Sequence, residues 1–590
     1  MKRLAVCRRG VLQALLGLLL AGCGGGSGDV AAPTTPPPQL PPLGAGEVAY
    51  DDPATYSTAA AAALPGATEA AALTHHTLTL NGRSIAYTAQ AGHLIAREPV
   101  SAAAEASMFY VAYTADGATA AARPVTFFYN GGPGSASVWL HLGSFGPKRL
   151  VTGAPASAAA APFPLVDNSE SLLDISDLVF VDAVGTGWSE AITPYVNQSF
   201  WGVDSDAAVF RDFIVRWLAA NGRSASPRFL YGESYGGPRS AVLARRLQDA
   251  GVMLSGVVLQ SPALNYNSNC GVLQTGDCAN VLPSYAAVGA YHGLSQSPPG
   301  DIDAHMAELR DFTASRYAPA DAAFLGGAPV PTDLPPLLAG YTGIAASLWS
   351  AQFNLDPETF RFHLIAGSVA GRYDGRVSVP LGSPLAGGAE ADPSINVITA
   401  SFASRMASYL RDLLRYSSDS TYVLTSNAIT SWDFGHAGRP YPDSVPDLQA
   451  ALAQNASLRV LAISGYHDLA TPFRVTELDL ARLGDEPRLQ IRDYPGGHMS
   501  YLTDSTRQRQ KADLAAFYAD ALAAPRALAA AQRTNVHALA AARARPAFDH
   551  AGTPPTRREP SAPEAALQTP LRDPWVPPRA HPLTTKATPP

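Results

Sequence analysis

One short run, Arg228–Arg239 (RFLYGESYGGPR), dictates more of the architecture than any other part of the chain. Phe229-Leu230-Tyr231 is an apolar and aromatic run of strand length, too short for a helix. Gly232-Glu233-Ser234-Tyr235-Gly236 follows and fits G-x-S-x-G. Pro238 then falls in a first helical turn, and Val242, Leu243, Arg246 and Leu247 continue at helical spacing. A strand that turns sharply into a helix raises the serine at its apex above the sheet edge. Glycines flank it because a Cβ would clash in so tight a turn. With 50 glycines in the chain, the pattern alone is weak. The strand before it, the helix after it and a second apolar run at Val257–Leu259 supply the context that a nucleophilic Ser234 requires.

A serine nucleophile needs a base, the base needs an orienting carboxylate, and the developing oxyanion needs N–H donors. On this architecture the acid and then the histidine follow the serine, on loops after later strands. Asp468 lies just past the apolar run Arg459–Ile463, and His498 just past Leu489–Arg492. His467, adjacent to Asp468, and His436, before any strand of the closing half, are the poorer candidates for the base. Upstream, the β run Val125–Tyr129 meets Asn130-Gly131-Gly132-Pro133-Gly134. No Lys-Ser/Thr follows, so a phosphate loop is excluded, and unblocked backbone N–H groups facing a substrate carbonyl are the other use of such a loop.

At 590 residues the chain has ample length for a large core, and a net charge of −7 without a basic stripe argues against nucleic acid as a partner. Lys2, Arg3, Arg8 and Arg9 precede an apolar Val11–Gly22, too short to span a bilayer. It ends Leu19-Leu20-Ala21-Gly22-Cys23, which resembles a bacterial lipobox. That implies a signal peptide over 1–22, a lipid on Cys23, and an exported protein anchored to a membrane. An ordinary secretory signal is the alternative. In an exported chain, Cys270 and Cys278 read as a local disulfide. No H-E-x-x-H occurs, and nothing calls for a metal or an organic cofactor. No feature of the sequence speaks to oligomeric state.

Residues 23–46 are a Gly/Pro/Thr-rich linker, 47–525 the catalytic domain, and 526–590 an Ala/Pro/Arg-rich tail read as disordered. The domain begins with a β extension: Thr77–Leu80 and Ser84–Thr88 joined at Asn81-Gly82, then Met108–Tyr113. His75, His76 and His93 there read as structural or solvated. Leu178–Val181 leads into the Gly-rich turn Asp182–Ser189. Ser205–Ala220 reads as an amphipathic helix, capped by Asp204 or Ser205 and stopped at Asn221-Gly222. Strand and helix alternation breaks between about 265 and 400, as an inserted cap would break it. It resumes with helix Phe402–Leu414 and closes with helix Ser505–Ala523.

Together NGGPG (Asn130–Gly134), DAVGTGWS (Asp182–Ser189), GESYGG (Gly232–Gly237), Gly465–Asp468 with Ala470-Thr471-Pro472, and Gly497-His498-Met499 resemble the serine carboxypeptidases, in their bacterial secreted branch. The resemblance implies an α/β-hydrolase fold with a mostly parallel central sheet, an N-terminal β extension and an inserted cap. It implies Ser234 as nucleophile, His498 as base then acid, Asp468 as its orienter, and the N–H groups of Gly132 and Tyr235 as the oxyanion hole. It further implies Asn130, the Gly131 N–H and a protonated Glu233 as the binders of a peptide's free C-terminal carboxylate, so that acidic pH favours activity. Three positions depart from the family pattern. Ser144 stands where a second Glu is common, Ser135 where a disulfide cysteine is common, and Ala183 where a proline is usual. The first weakens the case for strict carboxypeptidase action. An esterase or acyltransferase with the same machinery is the alternative reading, and a non-catalytic surface lipoprotein a more distant one.

Overall fold

A computed structural model describes residues 40–155, 163–270, 276–296, 300–387 and 392–543. The expected signal peptide, Cys23, most of the expected linker and the tail beyond 543 lie outside the described residues. Ten strands form the main sheet: β1 (Ala71–Leu80), β2 (Arg83–Arg97), β3 (Ala104–Ala115), β4 (Val125–Tyr129), β5 (Asp177–Val181), β6 (Glu190–Ala191), β7 (Arg228–Glu233), β8 (Gly256–Gln260), β9 (Arg459–Gly465) and β10 (Leu489–Tyr494). Their order across the sheet is β10-β9-β8-β7-β4-β5-β3-β2-β1, with β6 paired to β3. The run from β10 to β5 is parallel, and β3, β2 and β1 are antiparallel. This is the α/β-hydrolase architecture, and the expected β extension is the antiparallel end of the same sheet. Asn81 and Gly82, at φ +50° and +75°, make the two-residue turn between β1 and β2.

The central strands are apolar on both sides because both faces are covered. Phe127, Leu230, Val257 and Val460 enter one core, while Phe128, Tyr231, Val258 and Leu461 enter the other. The helices that interleave with or close the sheet are α1 (Val138–Gly143), α2 (Val203–Ala220), α3 (Gly236–Asp249), α4 (Leu282–Tyr291), α5 (Ile302–Phe312), α6 (Pro393–Ser408), α7 (Val445–Gln454), α8 (Phe473–Ala481) and α9 (Asp504–Arg543).

Several boundaries differ from expectation. Helix α2 starts at Val203 with Gly202 as an N-cap lacking a side-chain bond. Asp204 therefore falls inside the first turn and is free to pair with Arg246 and His436. Helix α6 begins at Pro393 rather than near 402, because Asp392 caps it, accepting from the Ser394 N–H, and proline suits the first helical turn. After β8 the chain does not rejoin the sheet until Arg459, so the excursion is longer than 265–400. Its first part owns a separate apolar core, with Tyr285, Leu338, Trp349 and Phe360 packed against Leu469 and Phe473. The last helix runs past 523 to Arg543.

Strand order reverses around β4. The link after β4 leads to β5 on one side, while the link after β7 leads to β8 on the other. A crevice at the carboxyl ends of β4 and β7 is the consequence, and ligands bind open α/β sheets at such switch points.

Candidate active site

The elbow occupies that crevice. Ser234 is held at φ +63°, a left-handed conformation unusual for a residue with a side chain. The positions two before it and three after it must be glycine. A Cβ on Gly232 would lie 2.2 Å from the Gly236 carbonyl oxygen, and one on Gly237 would lie 2.5 Å from Pro262 Cβ. The loop after β4 presses in from the other strand, and a Cβ on Gly131 would come within 2.4 Å of the Tyr235 nitrogen. Gly132 follows at φ +101°. Among the described residues, the N–H groups of Gly132 and Tyr235 make no hydrogen bond.

Two polar anchors fix the β4 loop. Arg239, fully buried, donates to the Asn130 carbonyl (2.6 Å) and forms a two-pronged pair with Asp206 (2.6 and 3.1 Å). Its guanidinium also lies over the Phe210 ring at 4.5 Å. At the loop's far end Asp182 accepts from the N–H and hydroxyl of Ser137 (2.8 and 2.7 Å). Burial pushes the Asp182 carboxyl up to about 6, against those donors. A Cβ on Gly187 would strike Asp182, which is why the turn Asp182–Ser189 is Gly-rich. These supports were not legible as such in the sequence.

His498 and Asp468, from the loops after β10 and β9, meet as expected. His498 Nδ1 lies 2.7 Å from Asp468 Oδ2, and both residues are buried. Asp468 Oδ1 accepts from the N–H groups of Ala470 (2.8 Å) and Thr471 (3.0 Å). The Thr471 hydroxyl lies 2.7 Å from Asp468 Oδ2 and 3.0 Å from the Ser261 carbonyl. Burial pushes the His498 imidazole down, but the carboxylate beside it wins and its pKa is raised. The backbone of His498 is pinned as well. Its carbonyl accepts from the Ser261 hydroxyl (2.7 Å), its N–H donates to Tyr373 O (2.6 Å), and the Tyr373 ring stands edge-on at 4.9 Å.

His498 Nε2 is buried and without a hydrogen bond, including to Ser234. Both side chains line one cavity of about 870 Å³, which also exposes Asn130, Gly131, Gly132 and Glu233. An imidazole so held on Nδ1 and open on Nε2 can take a proton from a hydroxyl, and such contacts often close only with substrate bound.

Glu233, beside the serine, is buried and accepts from Asn130 Nδ2 at 2.7 Å, with the Tyr501 hydroxyl close by. Burial raises its carboxyl to about 7. Ser144 turns its hydroxyl to the Leu140 carbonyl (2.6 Å) and does not line the cavity. Ser135 does line it, facing the Thr425 hydroxyl at 3.3 Å.

The other sequence candidates sit elsewhere. His467 is buried with its pKa pushed down to about 3 by burial, and does not line the cavity. His436 lies between Asp204 and Asp447. His93 is built into a structural network with Asp52 and the Trp188 carbonyl. Cys270 and Cys278 form the expected disulfide, with Cα atoms 5.2 Å apart. Among the described residues no cluster of three or more His, Cys, Asp or Glu is placed to hold a metal ion.

The sequence profile of the serine carboxypeptidase family matches residues 82–272, which carry the β4 loop, Asp182–Ser189 and the elbow. No curated protein matches the chain. Solved structures similar to it include the prohormone-processing carboxypeptidase Kex1 from Saccharomyces cerevisiae (15% identity, 73% of this chain and 91% of that one, TM-score 0.47). A proline iminopeptidase from Mycobacterium smegmatis is another (15%, 77% and 100%, TM-score 0.31). A third is a monoglyceride lipase from Saccharomyces cerevisiae (10%, 73% and 95%, TM-score 0.31). The family match thus lies across the elbow of an α/β-hydrolase sheet, and over residues 82–272 the chain is similar to the serine carboxypeptidases.

Proposed function

We propose that the chain removes C-terminal residues from peptides through an acyl-enzyme on Ser234. The observation that carries this reading is the pairing of an unbonded, buried His498 Nε2 with a strained Ser234 on one cavity, beside a buried Glu233 carboxyl whose pKa burial raises to about 7. Ser234 Oγ attacks the scissile carbonyl carbon as His498 Nε2 takes its proton. The N–H groups of Gly132 and Tyr235 receive the negative oxygen. Asp468 holds the imidazolium through Nδ1–H, and His498 returns the proton to the leaving amine. A water activated by the same nitrogen then cleaves the ester and releases the shortened peptide acid.

Asn130, the Gly131 N–H and Glu233 bind the terminal carboxylate of the substrate. Two carboxylates repel, so Glu233 binds it while protonated, below about pH 7, and loses it as pH rises through that value. His498 must be neutral to act. The Asp468 carboxylate raises the His498 pKa, so the two requirements pull in opposite directions, and activity is confined to the pH window in which the imidazole is free while the Glu233 carboxyl still holds its proton.

The test compares N-blocked dipeptides bearing free and amidated C-termini across pH. For free acids kcat/KM is expected to fall about tenfold per pH unit above 7, while amidated analogues are poor substrates without that limb. Equal cleavage of both at every pH would favour the esterase or acyltransferase reading. We also propose that the chain is exported and lipid-anchored at Cys23, on the strength of Leu19–Gly22 and the linker after it. Cys23→Ser, expected to abolish incorporation of a labelled fatty acid, tests that part.

A further inference from the structure

Between Trp432 and Ser444 the chain runs along one end of the cavity. Backbone hydrogen bonds stitch both ends of this segment: Asp433 N–H to Trp201 O (2.9 Å) and Val203 N–H to Asp433 O (3.1 Å) at one, Tyr266 N–H to Pro442 O (3.0 Å) and Ser444 N–H to Leu264 O (2.9 Å) at the other. Residues 434–441 differ. Among the described residues, their backbone bonds run only within the segment. His436 N–H donates to Arg439 O (3.0 Å) and Arg439 N–H to His436 O (2.9 Å), closing a hairpin whose tip, Ala437-Gly438, has φ +49° and +75°. Phe434 and Tyr441, one on each arm, line the cavity with Tyr266, whose ring lies 5.2 Å from that of Phe434.

His436 does not line that cavity. Its ring enters a separate crevice lined by α2, α3 and α7, with Nε2 2.8 Å from Asp447 Oδ2 and Nδ1 3.3 Å from Asp204 Oδ2. A ring with an acceptor on each nitrogen is held as the imidazolium, and His436 is buried. The two carboxylates outweigh the cost of burial and push its pKa up to about 9. The other charged groups facing the crevice are Arg246, on Asp204 (2.6 Å), Arg245, on Asp447 (3.1 Å), Arg439, on Asp443 (3.2 Å), and Asp249.

We propose that His436 is a positioning residue: clamped by Asp204 and Asp447, it holds Phe434 and Tyr441 in place as the wall of a subsite for a large apolar side chain of the substrate. This rests on the reading that the Ser234 cavity is where substrate binds. The stitched ends set where the segment starts and finishes. The two charge-assisted contacts of His436 set where its middle, and hence the aromatic wall, stands. The clamp is complete below the ordinary histidine pKa and is lost as pH rises through about 9.

The test measures kcat and KM for N-blocked dipeptides with Phe or Ala on either side of the scissile bond. His436→Asn is expected to lower kcat/KM for the better Phe substrate on the order of tenfold, through KM, with Ala–Ala changed less than about twofold. Phe434→Ala should remove the same preference, and the double variant should be no worse than the worse single one. Asp204→Asn, on a half-exposed side chain that folding tolerates, should show the pattern more weakly. An equal fall for all substrates, additive effects, or no effect of either clamp variant overturns the proposal. Should the wild-type chain neither cleave these peptides nor react with a fluorophosphonate, the catalytic reading fails separately. Calorimetry with N-blocked phenylalanine then decides the clamp. Weaker binding to His436→Asn supports it, and an unchanged Kd overturns it.

Discussion

The floor and the walls of this cavity are built by opposite means. The floor, at the ends of β4 and β7, is backbone held against backbone, with glycines wherever a Cβ would meet a peptide group. The walls come largely from the long excursion between β8 and β9, which supplies Tyr266, Tyr373, Phe434 and Tyr441 as side chains, Tyr266 and Phe434 packing into one of the two cores that flank the sheet. Backbone groups cannot be exchanged by mutation, whereas wall side chains can. The contrast divides the proposed roles: the reaction and the grip on a terminal carboxylate fall to the ends of the sheet, and the choice among substrate side chains falls to the excursion.

The contrast can be broken at the floor first. Arg239→Met leaves Asp206 as an unpaired buried charge and frees the Asn130 carbonyl. A loss of about 3–5 kcal/mol in stability is expected, read by denaturant unfolding. Gly131→Ala must push the β4 loop off the Tyr235 N–H. A fall in kcat on the order of 10²–10³ is expected, with KM changed far less. At the walls, Cys270→Ser with Cys278→Ser should cost about 2–3 kcal/mol of stability and leave kcat nearly unchanged, because the bridge closes a loop outside the floor. Replacing Glu233 by Gln sharpens the comparison most finely. An amide donates a hydrogen bond at every pH, so the fall in kcat/KM above pH 7 should vanish, a gain of about tenfold at pH 8 relative to wild type.

The floor was the legible part. Ser234, His498 and Asp468 could be located because each follows an apolar strand run, and the contact of His498 with Asp468 follows from β9 and β10 lying side by side. Gly131 and Gly132 could be read from a Gly-rich loop after a strand. The supports were not legible, since Arg239 and Asp206 are far apart in sequence and a buried ion pair has no local signature. Ser261, at φ +44° and donating to the His498 carbonyl, sits in a plain apolar context. The walls were illegible for another reason: helix and loop residues there pack by shape rather than by period. Helix α6 thus began at Pro393, inside the expected cap, and the segment carrying Phe434 and Tyr441 offered only a histidine that looked spare.

The account stands or falls on whether Ser234 is an activated nucleophile. Mass spectrometry after exposure to a fluorophosphonate gives the direct answer. One adduct, on Ser234, is expected in the wild-type chain, lost in Ser234→Ala and slowed on the order of 10⁴-fold or more in His498→Ala. No adduct on a folded wild-type chain, or labelling unchanged in His498→Ala, would contradict the account.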